Sequence, residues 1–151
     1  MIKKIAGILL LILIGIQFIR PERNESTGIT ANDIAQQYYI PPDIQEILQR
    51  ACYDCHSKNT EYPWYTNIQP VGWWMSKHIE DGKESLNFNE FGSYTPKDQD
   101  HVMDEIIEVV GNGEMPLPSY LWMHGEAKLF DDTAVLIDWA RKLKKEIAAT
   151  K

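Results

Sequence analysis

Hydrophobic residues are concentrated at one end of the chain. Residues 5–19 (IAGILLLILIGIQFI) are apolar except for Gln17, and they follow Lys3 and Lys4. As a helix, this run spans about 22 Å at about 1.5 Å per residue, against a hydrocarbon core of about 30 Å. Lysine and arginine side chains can snorkel towards lipid headgroups and extend that reach. The pattern predicts an uncleaved transmembrane signal anchor over residues 1–20.

The alternative for this segment is a cleaved secretory signal. The residues that end the apolar run, QFIRPE, lack the small side chains of an A-x-A-like cleavage site, which favours the anchor. Basic residues stay in the cytoplasm, so everything after residue 20 is expected on the periplasmic side of the inner membrane. Residues 21–37 are polar and predict a tether. Residues 38–151 are the expected exported domain.

Apolar residues at helical spacing predict two helices in the first half of that domain. The first begins at Pro41-Pro42-Asp43, with Asp43 as the N-cap. Its apolar stripe contains Ile44, Ile47, Leu48, Ala51, Cys52 and Cys55. The second runs from Pro70 to about Asp81 and is closed by Gly82. Both cysteines are therefore expected on one face of a single helix.

Two further helices are predicted in the second half. One follows Thr95-Pro96, with Thr95 as its cap, and ends at Gly111. Its buried face comprises Val102, Ile106 and Val109. The other begins at Asp131 or Asp132, with Leu136, Ala140, Leu143 and Ile147 on its apolar side. No segment alternates as a β-strand would, so the pattern predicts an all-α domain.

Composition and charge narrow the class of protein. The 151 residues suffice for one domain, and the net charge is −7. This acidic balance argues against nucleic-acid binding, which needs clustered lysine and arginine. Without Lys3 and Lys4 the remaining chain carries −9, which suits a partner protein with a basic docking patch.

One motif carries chemistry. Cys52, Cys55 and His56 form a C-x-x-C-H sequence, the pattern of c-type haem attachment. Two thiols at this spacing can each add to one haem vinyl group, and the adjacent histidine then supplies an axial nitrogen. Such attachment takes place outside the cytoplasm, in agreement with the export signal. One covalently attached haem c is the expected cofactor.

Other interpretations of the two cysteines have less support. A zinc site needs four ligands, and no second C-x-x-C or H-x-H pair is present. A thioredoxin-like redox pair belongs in a βαβ unit, which the pattern lacks. A disulfide between residues three apart in a helix would be strained.

The second axial ligand of the iron has two candidates. Met115 stands in Gly113-Glu114-Met115-Pro116, an irregular loop that can present a thioether to the haem. Histidine–methionine ligation raises the reduction potential and suits electron transfer. His78, on a helix beside two tryptophans, is the alternative and would lower the potential. The expected metal ligands are therefore His56 and Met115.

Aromatic residues cluster after the C-x-x-C-H motif. With five tryptophans and seven tyrosines the chain has ample material for a wall around an apolar ligand. The side chains expected to form this wall and to bind the cofactor are Tyr62, Trp64, Tyr65, Trp73 and Trp74.

The sequence resembles a bacterial haem-binding domain family of small c-type cytochromes. The resemblance rests on ACYDCHS, YPWYTNIQPVGWWMSKHIEDGKESLNF, GEMPLPSY and VLIDWA, and covers about residues 35–142. It implies a cytochrome c-like fold in which the first and last helices pack together beside the haem. It also implies attachment through Cys52 and Cys55, with His56 as proximal and Met115 as distal ligand.

These observations favour a membrane-anchored monohaem electron carrier over an enzyme, with no catalytic residue. Six-coordinate iron leaves no open position for a substrate. Two alternatives stay open. One is a haem-based sensor or peroxidase-like enzyme with a labile distal ligand, in which His78 or Glu114 acts as acid or base. The other is a thiol redox or interaction module without haem.

Overall fold

The fold consists of helices joined by loops. The computed structural model describes residues 1–26 and 28–149. The α-helices of this part of the chain are α1 (Ile2–Ile16), α2 (Ile34–Gln37), α3 (Pro42–Ala51), α4 (Tyr53–His56), α5 (Val71–Ser85), α6 (Pro96–Gly111), α7 (Pro118–Leu121) and α8 (Asp132–Ala149). Short 3₁₀ helices cover Trp64–Asn67, Phe88–Ser93 and Gly125–Ala127. The described residues contain no strand, so the all-α prediction is confirmed.

The core lies between α3, α6 and α8. Helix α8 buries the four predicted residues Leu136, Ala140, Leu143 and Ile147, together with Trp139. It packs along α6 and also touches α3, so the first long helix and the last helix of the domain are in contact. Arg50 of α3 pairs with Asp132 at the start of α8. The sequence predicts the buried face of α8 because its apolar positions recur at helical spacing over several turns.

Helix α6 begins as the sequence predicts. The Thr95 side chain accepts a hydrogen bond from the Asp98 backbone N–H at 3.2 Å, and Pro96 occupies the first turn, where a missing N–H costs nothing. Val102 is buried, whereas Ile106 and Val109 are only partly covered. That incomplete burial matters, because both residues face a cavity described below.

Two predicted helix boundaries are wrong. Pro41, not Asp43, is the N-cap of α3, and Asp43 lies in the first turn. Helix α3 ends at Ala51, because the backbone of Cys52 departs from helical geometry at φ −128° and ψ −43°. The cysteines therefore do not share one continuous helix: Cys55 lies in the separate short helix α4. In the other case, Gly82 does not end α5, which continues to Ser85.

The N-terminal apolar run forms α1, which ends at Ile16 and buries none of its residues. Among the described residues, no helix has both the length and the apolar character needed to cross a bilayer. The transmembrane helix predicted over residues 1–20 is therefore not supported.

The segment predicted as a tether, residues 21–37, contacts the domain in its described part. Asn24 bonds to Ser57, Thr60 and Lys83, and Ile34 is fully buried in the core. Asp33 caps the short helix α2. Local polarity suggested a free linker, but these polar side chains find specific partners in the domain.

Candidate haem site

His56 is held in the orientation that a metal ligand needs. It is the last residue of α4, and its Nδ1 lies 3.0 Å from the backbone carbonyl oxygen of Leu86, just beyond α5. A carbonyl can only accept, so Nδ1 carries the proton and the Nε2 lone pair is free. Burial lowers the pKa of His56, which favours the neutral, ligating form. Such a partner on the second ring nitrogen is typical of metal-binding histidines.

Close contact between α5 and the cysteine-bearing turn sets this geometry. A Cβ on Gly82 would lie 2.8 Å from the Cys55 carbonyl oxygen and 3.1 Å from Cys55 Cβ. The glycine therefore lets α5 lie directly against α4. This approach places the end of α5, and with it the Leu86 carbonyl, beside His56.

The two thiols are unbonded in this structure and partly covered by neighbouring side chains. Burial raises the pKa of Cys52 to about 12 and that of Cys55 to about 11. Both are therefore protonated at neutral pH, and the reactive thiolate is scarce while the chain is folded.

Two adjoining cavities meet at the C-x-x-C-H turn. Their volumes are about 350 Å³ and 320 Å³. Residues that line both are Ala51, Cys52, His56, Ser85, Met115 and Pro116. The larger cavity is walled mainly by aliphatic side chains and Phe88: Leu48, Leu86, Val102, Ile106, Val109, Val110, Leu129 and Leu136. The smaller adds Asp54, Cys55, His78, Asp81, Gly82, Leu117 and Tyr120.

These residues fit a haem. A porphyrin requires a largely apolar slot of this order of size, and covalent attachment and ligation require thiols and basic or thioether ligands at its edge and faces. Cys52, His56 and Met115 line both cavities, and Cys55 lines the second. The predicted attachment and ligand residues are thus brought together at one site.

The Met115 loop is ordered by its own hydrogen bonds. Gly113 has a φ of +77°, a conformation that glycine adopts without steric cost and that lets the chain reverse after α6. The Met115 backbone N–H donates to the Val109 carbonyl at 3.0 Å. Asn112 and Glu114 exchange two hydrogen bonds across the turn. The loop therefore presents the Met115 side chain from the end of α6.

His78, the alternative ligand, lines the second cavity and a small third one but not the larger cavity. Its Nδ1 donates to the Trp74 carbonyl at 2.8 Å, and its ring packs on the Trp74 ring with centroids 4.3 Å apart. Met103 is fully buried in the core, and Met123 is exposed. Of the predicted alternatives, Met115 alone borders both cavities.

The residues of the predicted aromatic wall do not line these two cavities. Neither cavity is lined by Tyr62, Trp64, Tyr65, Trp73 or Trp74. Trp64 is 73% exposed. The Trp73 indole N–H donates to the Ile19 carbonyl at 2.7 Å, and the Tyr62 hydroxyl accepts from the Asn24 backbone N–H at 2.7 Å. Tyr65 and Trp74 line a third, small cavity together with Cys55 and His78. Aliphatic residues of α3, α6 and α8 line the larger cavity.

Two features of the site could not be anticipated. Tyr120 lines the second cavity and donates to the Asp54 carboxylate at 2.7 Å. Burial, with the nearby Asp54, raises the pKa of this phenol. The contact of His56 with the Leu86 carbonyl could not be predicted either, because it is made by a backbone atom that every residue has. Ile106 and Val109 did give a signal, because both belong to the predicted apolar stripe of α6.

Comparison with known proteins decides the family. The model of a family described as haem-binding domain matches residues 11–142. The chain belongs to the haem-binding domain family. No curated protein and no solved structure matches it. The matched residues run from α1 into α8. They include the candidate site and the N-terminal segment that precedes α2.

Proposed function

We propose that this haem-binding domain protein is a monohaem c-type cytochrome that carries single electrons between redox partners. The observation that carries the proposal is the convergence of Cys52, Cys55, His56 and Met115 on two adjoining cavities, of which the larger has a mainly apolar wall. Bound there, a haem supplies an iron that changes oxidation state by one electron.

Each residue then has a distinct role. Cys52 and Cys55 bond the cofactor through thioethers, so the domain has no disulfide. His56 offers Nε2 to the iron, with its ring fixed by the Leu86 carbonyl. Met115, which lines both cavities, would supply a thioether to the iron and leave no open site for a substrate. The aliphatic wall excludes water and limits the reorganisation that accompanies a change of charge.

The proposal includes an extracytoplasmic location. The basic, apolar N-terminus supports export, and covalent haem attachment belongs to that compartment. Because the thiols of the folded chain are largely protonated, we expect attachment before folding is complete. The acidic chain would meet its partners through basic patches.

The test is an absorption spectrum of the full chain, produced in cells with working haem-attachment machinery, before and after denaturation. Haem that stays with the denatured chain shows covalent attachment. In the oxidised protein, the methionine–iron charge-transfer band should be lost in Met115→Leu and kept in Met123→Leu, the matched control at an exposed methionine. A wild-type protein without the band, a band that survives Met115→Leu, or a colourless protein would refute the assignment.

A haem-based sensor or peroxidase-like enzyme is the second candidate. It is favoured by the polar side chains of the second cavity, His78, Asp81 and Tyr120, which could assist a ligand at a vacated distal position. Rapid carbon monoxide binding by the reduced wild-type protein at neutral pH would support this function. Carbon monoxide binding only by Met115→Leu would support the electron carrier.

A further inference from the structure

An exposed apolar surface adjoins the candidate haem site on the side of Cys55 and His78. It consists of six side chains, called here the tryptophan face: Trp64, Ile68, Val71, Trp74, Trp122 and Met123. Their exposed fractions range from 38% to 83%. Single exposed apolar residues are ordinary, whereas clustered ones mark interaction surfaces.

The tryptophan face comes from two separate parts of the chain, which contacts between them place side by side. Trp64 packs edge-on against Tyr65 with ring centroids 5.9 Å apart. The Tyr65 hydroxyl is 2.7 Å from Nε2 of His124, the residue after Met123. Trp74 and Met123 line the same small cavity. These contacts bring Trp122 and Met123 beside the segment that carries the other four residues.

Charge is absent from both segments. Residues 62–76 and 115–123 contain no aspartate, glutamate, lysine or arginine, although these make up 25% of the chain. Charged groups are the costliest to remove from water. Their absence suits a surface that contacts a medium of low polarity.

Helix α1 leaves the domain beside this same face. Gln17 and Gln69 exchange two hydrogen bonds, of 3.1 Å and 2.9 Å. The Trp73 indole N–H bonds to the Ile19 carbonyl at 2.7 Å. Gln69 directly follows Ile68, so the end of α1 is fixed next to the tryptophan face.

The exposure of α1 on all sides favours lipid over a partner protein as its cover. Residues 8–14 are each 48% to 70% exposed, and seven consecutive helical positions point in every direction around the axis. A groove on a partner protein would cover only one stripe of such a helix. Lipid covers all of its circumference.

We propose that the tryptophan face rests in the headgroup region of a phospholipid bilayer while α1 contacts the acyl chains. Tryptophan is enriched at this depth because its ring is apolar and its N–H is polar. The contacts at Gln17 and Ile19 then hold the haem domain against the membrane in one orientation. The domain is a surface-bound body rather than one that swings freely.

The experiment labels single introduced cysteines with a nitrobenzoxadiazole fluorophore in the full holo-protein, reconstituted into phosphatidylcholine vesicles. Trp64→Cys and Trp122→Cys lie in the tryptophan face, and both side chains are exposed, so folding should be retained. His101→Cys on α6, with 70% of its side chain exposed, is the matched control outside the face. The chain without an introduced cysteine reports any labelling of Cys52 and Cys55.

Labels at positions 64 and 122 should emit at shorter wavelength and be quenched by nitroxide-bearing lipids more than by aqueous iodide. The order of the two quenchers should be reversed at position 101. Iodide quenching at 64 and 122 equal to that at 101 would place the face in water and overturn the proposal. Protection of 64 and 122 from both quenchers would overturn it too, since it would mean that protein, such as a second copy, covers the face.

Discussion

At the scale of single residues, the site depends on a glycine, Gly82, whose lack of a side chain permits a close contact between helices. Gly82 lies inside α5, where alanine would normally be preferred by up to about 1 kcal/mol. Here a Cβ would meet the Cys55 carbonyl oxygen at 2.8 Å. Backbone of the cysteine-bearing turn would have to move, and the Leu86 carbonyl that orients His56 would move with the end of α5.

We therefore expect Gly82→Ala to lower the free energy of unfolding by about 1–3 kcal/mol, as overpacking does, and to reduce the haem retained per chain. Gly111→Ala is the matched control, because its new Cβ would make an ordinary contact at 3.5 Å with Ile137. Denaturant unfolding and haem content measure both effects. Equal stability of the two variants would show that α5 does not need this close approach.

Residue chemistry alone predicted which residues meet at the candidate site better than it predicted what surrounds them. A C-x-x-C-H sequence is typical of haem attachment, and the structure brings Cys52, Cys55 and His56 together with Met115. Trp64 and Trp74 suit a cofactor wall, a core or a membrane surface equally well, because an indole is both apolar and polar. Only the position of each ring in the fold separates these uses.

At the scale of elements, the segment before α2 is part of the domain. Asn24 donates from Nδ2 to the Ser57 carbonyl at 2.8 Å and to Thr60 Oγ1 at 2.9 Å, and its Oδ1 accepts from Lys83 at 2.6 Å. Ser57 directly follows His56. One amide thus ties the N-terminal segment to α5 and to the loop that leaves the candidate ligand.

Asn24→Ala is expected to cost about 1–3 kcal/mol of stability, because partly buried partners lose their hydrogen bonds. Glu22→Ala, in the same segment but exposed, should change stability by no more than about 0.5 kcal/mol. Denaturant unfolding followed by circular dichroism compares the two at equal haem content. Identical midpoints would mean that the segment is dispensable, as a tether would be.

The contacts of the segment before α2 and the observed helix boundaries could not be predicted for the same reason. A polar run such as residues 21–26 has no periodicity, so its pairing with Ser57 or Lys83 is invisible until those residues are placed in space. A glycine such as Gly82 often ends a helix, but a glycine inside a helix can instead permit close packing. The sequence alone does not separate these two uses. The stripe of α8 was predictable because its partner in packing, the core, needs only apolar residues at the right period.

At the scale of the whole molecule, charge decides which partners approach. The chain carries 22 acidic against 15 basic residues, a net charge of −7. Four of the acidic side chains line the candidate haem cavities, Glu105 and Glu108 the larger one and Asp54 and Asp81 the smaller. The acidic field is therefore present at the site as well as at a distance from it. Such a field speeds encounter with positively charged partners and slows it with negative ones.

Oxidation of the reduced holo-protein by small complexes of opposite charge tests this field without a natural partner. The rate constant with cationic tris(phenanthroline)cobalt(III) should fall as salt is raised, because screening at a Debye length of about 10 Å in 0.1 M salt removes an attraction. With anionic hexacyanoferrate(III) the rate constant should rise, since the same screening removes a repulsion. Stopped-flow measurements across a range of salt give both slopes. Slopes of the same sign would show that the surface near the electron-transfer site does not share the net negative charge, and that docking depends on a local patch instead.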